Sequence, residues 1–248
     1  MKQDKTPSKR VLFLGDRPLG ERCLRHLIQS GRSVVGVVSR PDQEQCWWGH
    51  GHFQEICREN SLQWHSHSDA LEQVADQSAA GLGLSVLFTR IIPESVLKKV
   101  GFFNLHCAPL PEYKGFNSTL WAIINGDKTF GVTLHEVTPE PDGGRILHKR
   151  CFPLQGRISN AELYRTAHLV AFEVFCDAIQ GIMSGNYELA PQVGSGKFYR
   201  KNELPSRELD LAWDPEKISR FARAFYFPPF ESAYFFLKGQ KYYVIPNS

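Results

Sequence analysis

No two of the six cysteines are spaced as CxxC, so the chain carries neither a zinc-ribbon pattern nor a dithiol redox motif. A chain of 248 residues can bury a core without disulfide staples. The cysteines therefore read as reduced thiols, and a cytoplasmic setting is expected. The basic start MKQDKTPSKR is not followed by an apolar h-region, because VLFLG meets Asp16 and Arg17 at once; no signal peptide is expected. No window reads as the roughly 18 apolar residues of a membrane span, so no transmembrane helix is expected. Charge of either sign is scarce in excess: 29 basic against 26 acidic residues leave +3. That is too little to argue for a nucleic-acid or membrane partner. There is no internal repeat, and 20 glycines with 15 prolines in an otherwise ordinary composition exclude low-complexity or fibrous classes. The first strand–turn–helix, GDRPLG, lacks the G-x-G-x-x-G of a dinucleotide site, and no GK[ST] follows to make a Walker loop.

The chain does contain a βα alternation. Residues 11–15 form a short apolar strand ending in Gly15, and Leu19, Cys23, Leu24, Leu27 and Ile28 then recur at helical spacing up to Gly31. Further strands are expected over 34–38, 62–65, 82–88 and 102–105. Helices are expected around Phe53, Ile56 and Cys57, over 71–74, and over 93–100, where Pro93 sits at the start. Short apolar strands between amphipathic helices imply a mostly parallel sheet covered on both faces. The pattern then changes to a helix over 118–125 stopped by Gly126, strands over 131–137 and 146–153 around the turn TPEPDGGR, and a long helix over 161–181. Residues 186–212 are polar, with VGSGKFYRKNELPSRE (193–208) reading as a loop. A helix over 215–224 and strands over 232–237 and 242–245 close the chain. The expected fold is α/β: a Rossmann-like, mostly parallel sheet with helices on both faces, plus a short C-terminal αββ unit. The expected division is 1–190 and 191–248.

Two histidine pairs, His50 with His52 and His65 with His67, lack a carboxylate or cysteine at ligand spacing, so they read as surface residues and no metal is expected. Trp47 and Trp48 stand in a Trp-rich segment, 46–52, that no motif places.

The chemistry concentrates between Phe102 and Leu147. Asn104 and His106 lie two apart at the end of an apolar strand, so both side chains share a face at the carboxyl end, where such sheets bind ligands. A rigid APLPEYKG loop follows, and Asp142 stands later in a Gly-flanked turn. Read from spacing alone, Asn104 and His106 could simply cap a strand end and Asp142 make an Asx-turn. The ordered series is fuller than that: Asn-Leu-His, then Pro109-Leu110-Pro111 with Tyr113 and Gly115, then Trp121-Ala122-Ile123 with Gly126, Gly131-x-Thr133-x-His135, and Asp142-x-Gly144-x-Ile146. It resembles the 10-formyltetrahydrofolate-dependent formyltransferases. Arg223-Ala224 with Pro228-Pro229-Phe230 further resembles the methionyl-tRNA and sugar branches of that family.

The resemblance implies a catalytic set of Asn104, His106 and Asp142. It implies 10-formyltetrahydrofolate as donor, with the pterin against Ser85, Leu87, Phe88, Thr89, Arg90, Ile91 and Ile92, and Val137 and Thr138 on the other wall. The tRNA branch carries a further C-terminal domain and would favour a more basic balance. The resemblance is closest to the sugar N-formyltransferases, which act on nucleotide-linked amino sugars and here would serve surface glycan (O-antigen) synthesis. The implied substrate is a dTDP- or UDP-linked amino deoxysugar, with no nucleic-acid or membrane partner. Tyr113, Lys114, Asn117, Arg200, Tyr226 and Phe230 are its expected contacts. Among cations, Arg145, Lys197 and Lys201 are further candidates for the diphosphate, and Tyr199, Phe225 and Phe227 for stacking on the base. The alternatives are a methionyl-tRNA or other small-amine formyltransferase, or a degenerate binding domain that has lost its chemistry. The apolar strands at the end, AYFFL and YYVI, could pair across a two-fold in a homodimer.

Overall fold

The computed structural model describes residues 9–42 and 51–246. In chain order the strands are β1 (Val11–Gly15), β2 (Val34–Ser39), β3 (Trp64–Ser66), β4 (Leu82–Val86), β5 (Phe102–His106), β6 (Tyr113–Gly115), β7 (Thr129–Glu136), β8 (Ile146–Pro153), β9 (Lys197–Tyr199), β10 (Tyr234–Leu237) and β11 (Gln240–Tyr243). The helices are α1 (Arg17–Gln29), α2 (Phe53–Glu59), α3 (Leu71–Ser78), α4 (Glu94–Leu97), α5 (Ser118–Asn125), α6 (Asn160–Ser184) and α7 (Pro215–Phe225). The Trp47–Trp48 pair and His50 lie outside the described residues, so the expectation placed on 46–52 is met by structure only at Gly51 and His52.

One seven-stranded sheet runs β3-β2-β1-β4-β5-β7-β8. Neighbours from β3 to β5 pair in parallel, and β7 pairs antiparallel with β5. The parallel strands are apolar throughout because helices cover both faces, and Val11, Leu12, Phe13 and Leu14 are fully buried. After β3 the chain crosses to the far side of β1. The order therefore reverses between β1 and β4, and the carboxyl ends of the strands open there to ligand. Leu12, Leu14, Val38, Leu71, Val74, Ile92, Val96 and Phe102 form one core cluster under these ends.

The contacts divide the chain into two compact units. The first takes 1–106, 133–149 and 171–193; the second takes 107–132, 150–170 and 194–248. In the second unit, β6 and β9 form a two-stranded parallel pair, with Tyr113 opposite Lys197 and Gly115 opposite Tyr199. Gly115 has φ +86, and a Cβ there would collide with the Tyr199 carbonyl, so the pairing requires glycine. β10 and β11 make an antiparallel hairpin through Lys238 and Gly239, both at positive φ.

The structure departs from the sequence expectations in several places; the loop expected after His106 contains β6, and the last strand is Gln240–Tyr243 rather than 242–245. β4 stops at Val86 rather than residue 88, because Leu87 turns to φ +55 and leaves the extended region. α4 is one turn, not 93–100, with Pro93 as its N-cap. The polar stretch 186–212 is not all loop: Lys197–Tyr199 is β9, a three-residue strand whose partner lies about eighty residues away, too short and too non-local for a periodicity to declare. Finally, α6 runs over Asn160–Ser184 rather than 161–181, and its most apolar 18-residue stretch reaches a mean hydropathy of 1.2. One face of it, with Leu163, Ala167, Ala171, Val174, Phe175 and Ile179, packs inside the protein, while Leu169 is exposed.

α6 begins at a capping box. The Ser159 N–H and Oγ–H donate to Glu162 Oε2 at 2.8 and 2.6 Å, and the Glu162 N–H returns to Ser159 Oγ at 3.4 Å. The Ser159 donors beside it hold the Glu162 carboxyl below its usual range.

Candidate active site

β5 carries Asn104 and His106 on one face at its carboxyl end, as alternation requires. The antiparallel neighbour β7 sets His135 opposite Asn104. The turn between β7 and β8 brings in Asp142. All four belong to the first unit. His106 Nδ1 stands 3.7 Å from Asp142 Oδ1, and His135 Nε2 stands 3.6 Å from the same oxygen. The imidazoles meet edge to face, 6.2 Å between centroids. His106 and Asp142 are mostly buried, and His135 is only 2% exposed.

The orientation of the Asn104 amide follows from its neighbours. Ser85 Oγ–H donates to Asn104 Oδ1 at 2.8 Å, so that atom is the oxygen. Nδ2 then faces His135 Nε2 at 3.1 Å. His135 Nδ1 lies 2.7 Å from the Glu136 carbonyl and must carry the proton there. With Nδ1 donating, Nε2 accepts from Asn104. One amide N–H is thereby fixed and the other is directed away from His135. A preset N–H of this kind can stabilise negative charge growing on a substrate oxygen, while an imidazole beside a carboxylate can hold and deliver a proton.

The Asp142 turn is itself shaped by backbone contacts. Asp142 has φ +52, a left-handed conformation that Asp tolerates better than most residues. Gly144 lies so close to the Glu136 carbonyl that any Cβ would overlap it. The base of the loop is closed by Glu136 N–H to the Arg145 carbonyl at 2.9 Å, and by Arg145 donating to both Glu136 oxygens at 2.7 and 2.9 Å. That bond and its charge raise the Arg145 guanidinium above its ordinary value. Arg145, a candidate for diphosphate from its charge, is thus committed to Glu136.

The residues expected around a pterin fall on the loop after β4 and at the end of β7. Phe88 and Val137 pack against the same core cluster, and Ile92 belongs to it. Ile91 is 77% exposed. Thr138 Oγ1 donates to the Glu140 carbonyl. Thr89 Oγ1 receives Arg40 Nη2 at 3.0 Å, and Arg90 donates to the His67 and Asp69 carbonyls. Ser85 is turned to Asn104. Phe88, Ile92 and Val137 beside open backbone after Leu87 suit a flat heteroaromatic ring that reads backbone donors and acceptors. Next to this loop, Asp16 is 1% exposed, and burial pushes its carboxyl up. Burial and the guanidinium groups of Arg40 and Arg90 push the His67 imidazole down.

The expected substrate contacts lie in the second unit. Tyr113 is buried; its O–H donates to Asp127 Oδ2 at 2.5 Å and accepts from Asn125 Nδ2 at 2.8 Å. Burial and Asp127 hold its phenol well above the usual range. Tyr199 stacks between Tyr113 and Trp121, with ring centroids 5.5 and 4.9 Å away, and Lys197 lies over Trp121 and Tyr199. Tyr199 and the buried Phe225 are therefore spent on packing. Lys114 is half-buried on β6, and Asn117, at φ +57, caps α5. Arg200 is largely exposed beside Glu203. The Tyr226 carbonyl accepts the Ala161 N–H, and Phe230, 52% exposed, packs at 5.9 Å on Phe227. The pairing of β6 with β9 brings Tyr113 and Lys114 near Arg200; Tyr226 and Phe230 are tied to the start of α6 instead. Burial pushes the thiol of Cys107, next to His106, up to about 12, which disfavours its thiolate. Among the described residues, no group of three or more His, Cys, Asp or Glu could hold a metal ion.

A family model described as "Formyl transferase" matches residues 9–179, which spans every element carrying the Asn104, His106 and Asp142 cluster. The chain belongs to the formyl transferase family. Sequence relatives of this formyltransferase include a GDP-perosamine N-formyltransferase of Brucella melitensis, 29% identical over 96% of this chain and 93% of that protein. A methionyl-tRNA formyltransferase of Streptococcus agalactiae is 26% identical over 94% of this chain and 78% of its own length. Among solved structures, an N-formyltransferase from Helicobacter canadensis with folinic acid and dTDP-3-aminofucose superposes with TM-score 0.80 at 20% identity, covering 94% of this chain and 86% of that one. A 4-N formyltransferase from Francisella tularensis gives TM-score 0.80 at 18% identity, with 96% of each chain covered. At such identities the superpositions speak for the fold.

His135, which contacts both Asn104 and Asp142, has no role in the sequence expectations. It stands in the Gly131-x-Thr133-x-His135 series, and its alternation with Thr133 on a strand was the available signal. Its partner on β5 could not be named without the pairing.

Proposed function

We propose that this formyltransferase moves the formyl group of 10-formyltetrahydrofolate onto the primary amine of a nucleotide-linked amino deoxysugar. The observation that carries the proposal is the convergence of Asn104, His106 and Asp142 at the carboxyl end of β5. The donor supplies a formyl carbon activated by its aromatic amine. Asn104, its amide preset by Ser85 and His135, donates an N–H to the formyl oxygen as charge builds there. His106 gives a second hydrogen bond or a proton on the same side. Asp142 steadies the His106 imidazole and, through water, takes the proton that frees the amine lone pair for attack; the tetrahedral intermediate then collapses, the bond from the formyl carbon to the folate N10 breaks, and N10 leaves with a proton returned from the same side as tetrahydrofolate. Phe88, Ile92, Val137 and the backbone of residues 87–92 hold the pterin, and Lys114, Asn117, Arg200, Tyr226 and Phe230 meet the nucleotide sugar. Tyr113 contributes through packing, its hydroxyl being given to Asp127.

Support for a sugar acceptor comes from the relatives: the GDP-perosamine enzyme aligns over almost its whole length, and the superposed structures include sugar N-formyltransferases. The proposed carrier is dTDP or UDP, the site of action the cytoplasm, the role surface glycan synthesis, and the assembly a homodimer through the β10–β11 hairpin, where Phe236, Leu237, Tyr242 and Tyr243 are exposed. The methionyl-tRNA relatives keep an aminoacyl-tRNA as the second acceptor to test. Incubation with 10-formyltetrahydrofolate and a panel of dTDP-, UDP- and GDP-linked 3- and 4-amino sugars, read by mass, is the test. Gain of one formyl on a sugar supports the reading, and its absence across the panel refutes it.

A further inference from the structure

Past α6, Ala190 exchanges backbone hydrogen bonds with Ile146 at the start of β8, at 2.7 and 2.9 Å. This lays residues 190–192 alongside the loop that carries Asp142. Two residues on, Gln192 Nε2 donates to the Asp142 carbonyl and to the Gly144 carbonyl, both at 2.8 Å. An amide nitrogen has two hydrogens, and both are used here. Gln192 Oε1 is buried with no partner. A buried acceptor is costly to leave unpaired, so the two N–H bonds fix where this side chain sits.

These bonds hold the tip of a turn that the backbone would not favour unaided. Asp142 is left-handed, and Gly144 is pressed against Glu136. The base of the loop has its own closure in the Glu136–Arg145 pair. We propose that Gln192 is a positioning residue for Asp142, setting the carboxylate against His106 and His135 by clamping the carbonyls on either side of Gly143. This rests on the reading of Asp142 as catalytic. Released from Gln192, the turn relaxes and the carboxylate leaves the position it holds 3.7 Å from His106 Nδ1 and 3.6 Å from His135 Nε2. A misplacement of about 1 Å costs up to about 100-fold in rate.

The test compares Gln192→Glu, Gln192→Met and Asp142→Asn in the full chain. It reads kcat across neutral and mildly acidic pH, the dissociation constant for the folate donor, and thermal melting. At neutral pH, Gln192→Glu sets a carboxylate against two carbonyls and should lower kcat about 10- to 100-fold, with donor affinity held within about twofold. As pH falls, a protonated Glu regains one donor, so its rate relative to wild type should rise. Gln192→Met, which fills the space and donates nothing, should lose similar rate with no such rise. A residue that only fills space would show neither the loss in the isosteric Glu variant nor its pH-dependent recovery. Full rate in Gln192→Glu while Asp142→Asn is crippled overturns this inference alone. Full rate in Asp142→Asn overturns the catalytic reading beneath it. If the Glu variant does not fold, folded Gln192→Met decides: reduced kcat with donor affinity kept supports the clamp, and full rate overturns it.

Discussion

Asn104, His106 and Asp142 differ in how their surroundings prepare them. Asn104 is held at both ends of its amide, by Ser85 and by His135, so its donor is oriented before any substrate arrives. Replacing it with Ala should cost about 10²–10³ in kcat, the usual worth of one oxyanion donor, with folding intact by melting and circular dichroism. His106→Ala should cost as much or more. Near-normal turnover in either folded variant would remove it from the catalytic set. His135→Phe should act through Asn104 and lower kcat more than donor affinity, read by steady-state kinetics against donor binding. Thiol chemistry gives an independent check on the same neighbourhood. Burial holds Cys107 and Cys57 up to about 12, so neither forms thiolate at neutral pH, whereas Cys151 is exposed. Peptide mapping after mild alkylation should find Cys151 modified well before Cys107, with activity retained.

At the level of elements, α6 offers a prediction with a defined sign. The Glu162 carboxyl is held below its usual range by Ser159, so its stabilising contribution is present above the unfolded carboxylate value and fades as pH falls through the folded one. Glu162→Gln keeps an acceptor for Ser159 and loses only a solvent-exposed charge, so it should cost a few tenths to about 1 kcal/mol at pH 7. The gap between the two melting curves should then narrow toward pH 4 and below. The turn at Asp142 is the second such element: Gly144→Ala must push the Glu136 carbonyl aside, and it should lower kcat more than it lowers stability. The elements differ in how far the sequence announced them. β1, β2, β5, α1, α5 and α7 follow from local periodicity and stop signals within a few residues. So did the shared face of Asn104 and His106, since alternation is a local property. β6, β9 and the Gln192 strap were not legible because each is held by a partner far along the chain: Tyr199 for Gly115, the Asp142 turn for Gln192. Burial was as hard to foresee for Tyr199 and Phe225, aromatic residues equally suited to a binding surface until their neighbours are known.

For the molecule as a whole, the polar cluster lies in the middle of the seven-stranded sheet, where β4, β5, β7 and the β7–β8 turn bring Ser85, Asn104, His106, His135 and Asp142 together. The two units differ in the residue types they gather. The first holds the buried polar cluster; the second holds the aromatic stack of Tyr113, Tyr199 and Trp121 together with the Lys114 and Arg200 cations. The net charge of +3 suits a few cations set aside for one diphosphate better than a polynucleotide track. If so, formyl transfer should depend on salt only weakly, unlike a tRNA-binding enzyme making many phosphate contacts. The most direct measurement is a competition: wild-type protein with 10-formyltetrahydrofolate, an equimolar mixture of nucleotide-linked amino sugars and methionyl-tRNA, and products read by mass. Formyl on an amino sugar, abolished in Asn104→Ala and His106→Ala, is the predicted result. Formyl on methionyl-tRNA alone, or transfer undiminished in those variants, would contradict it.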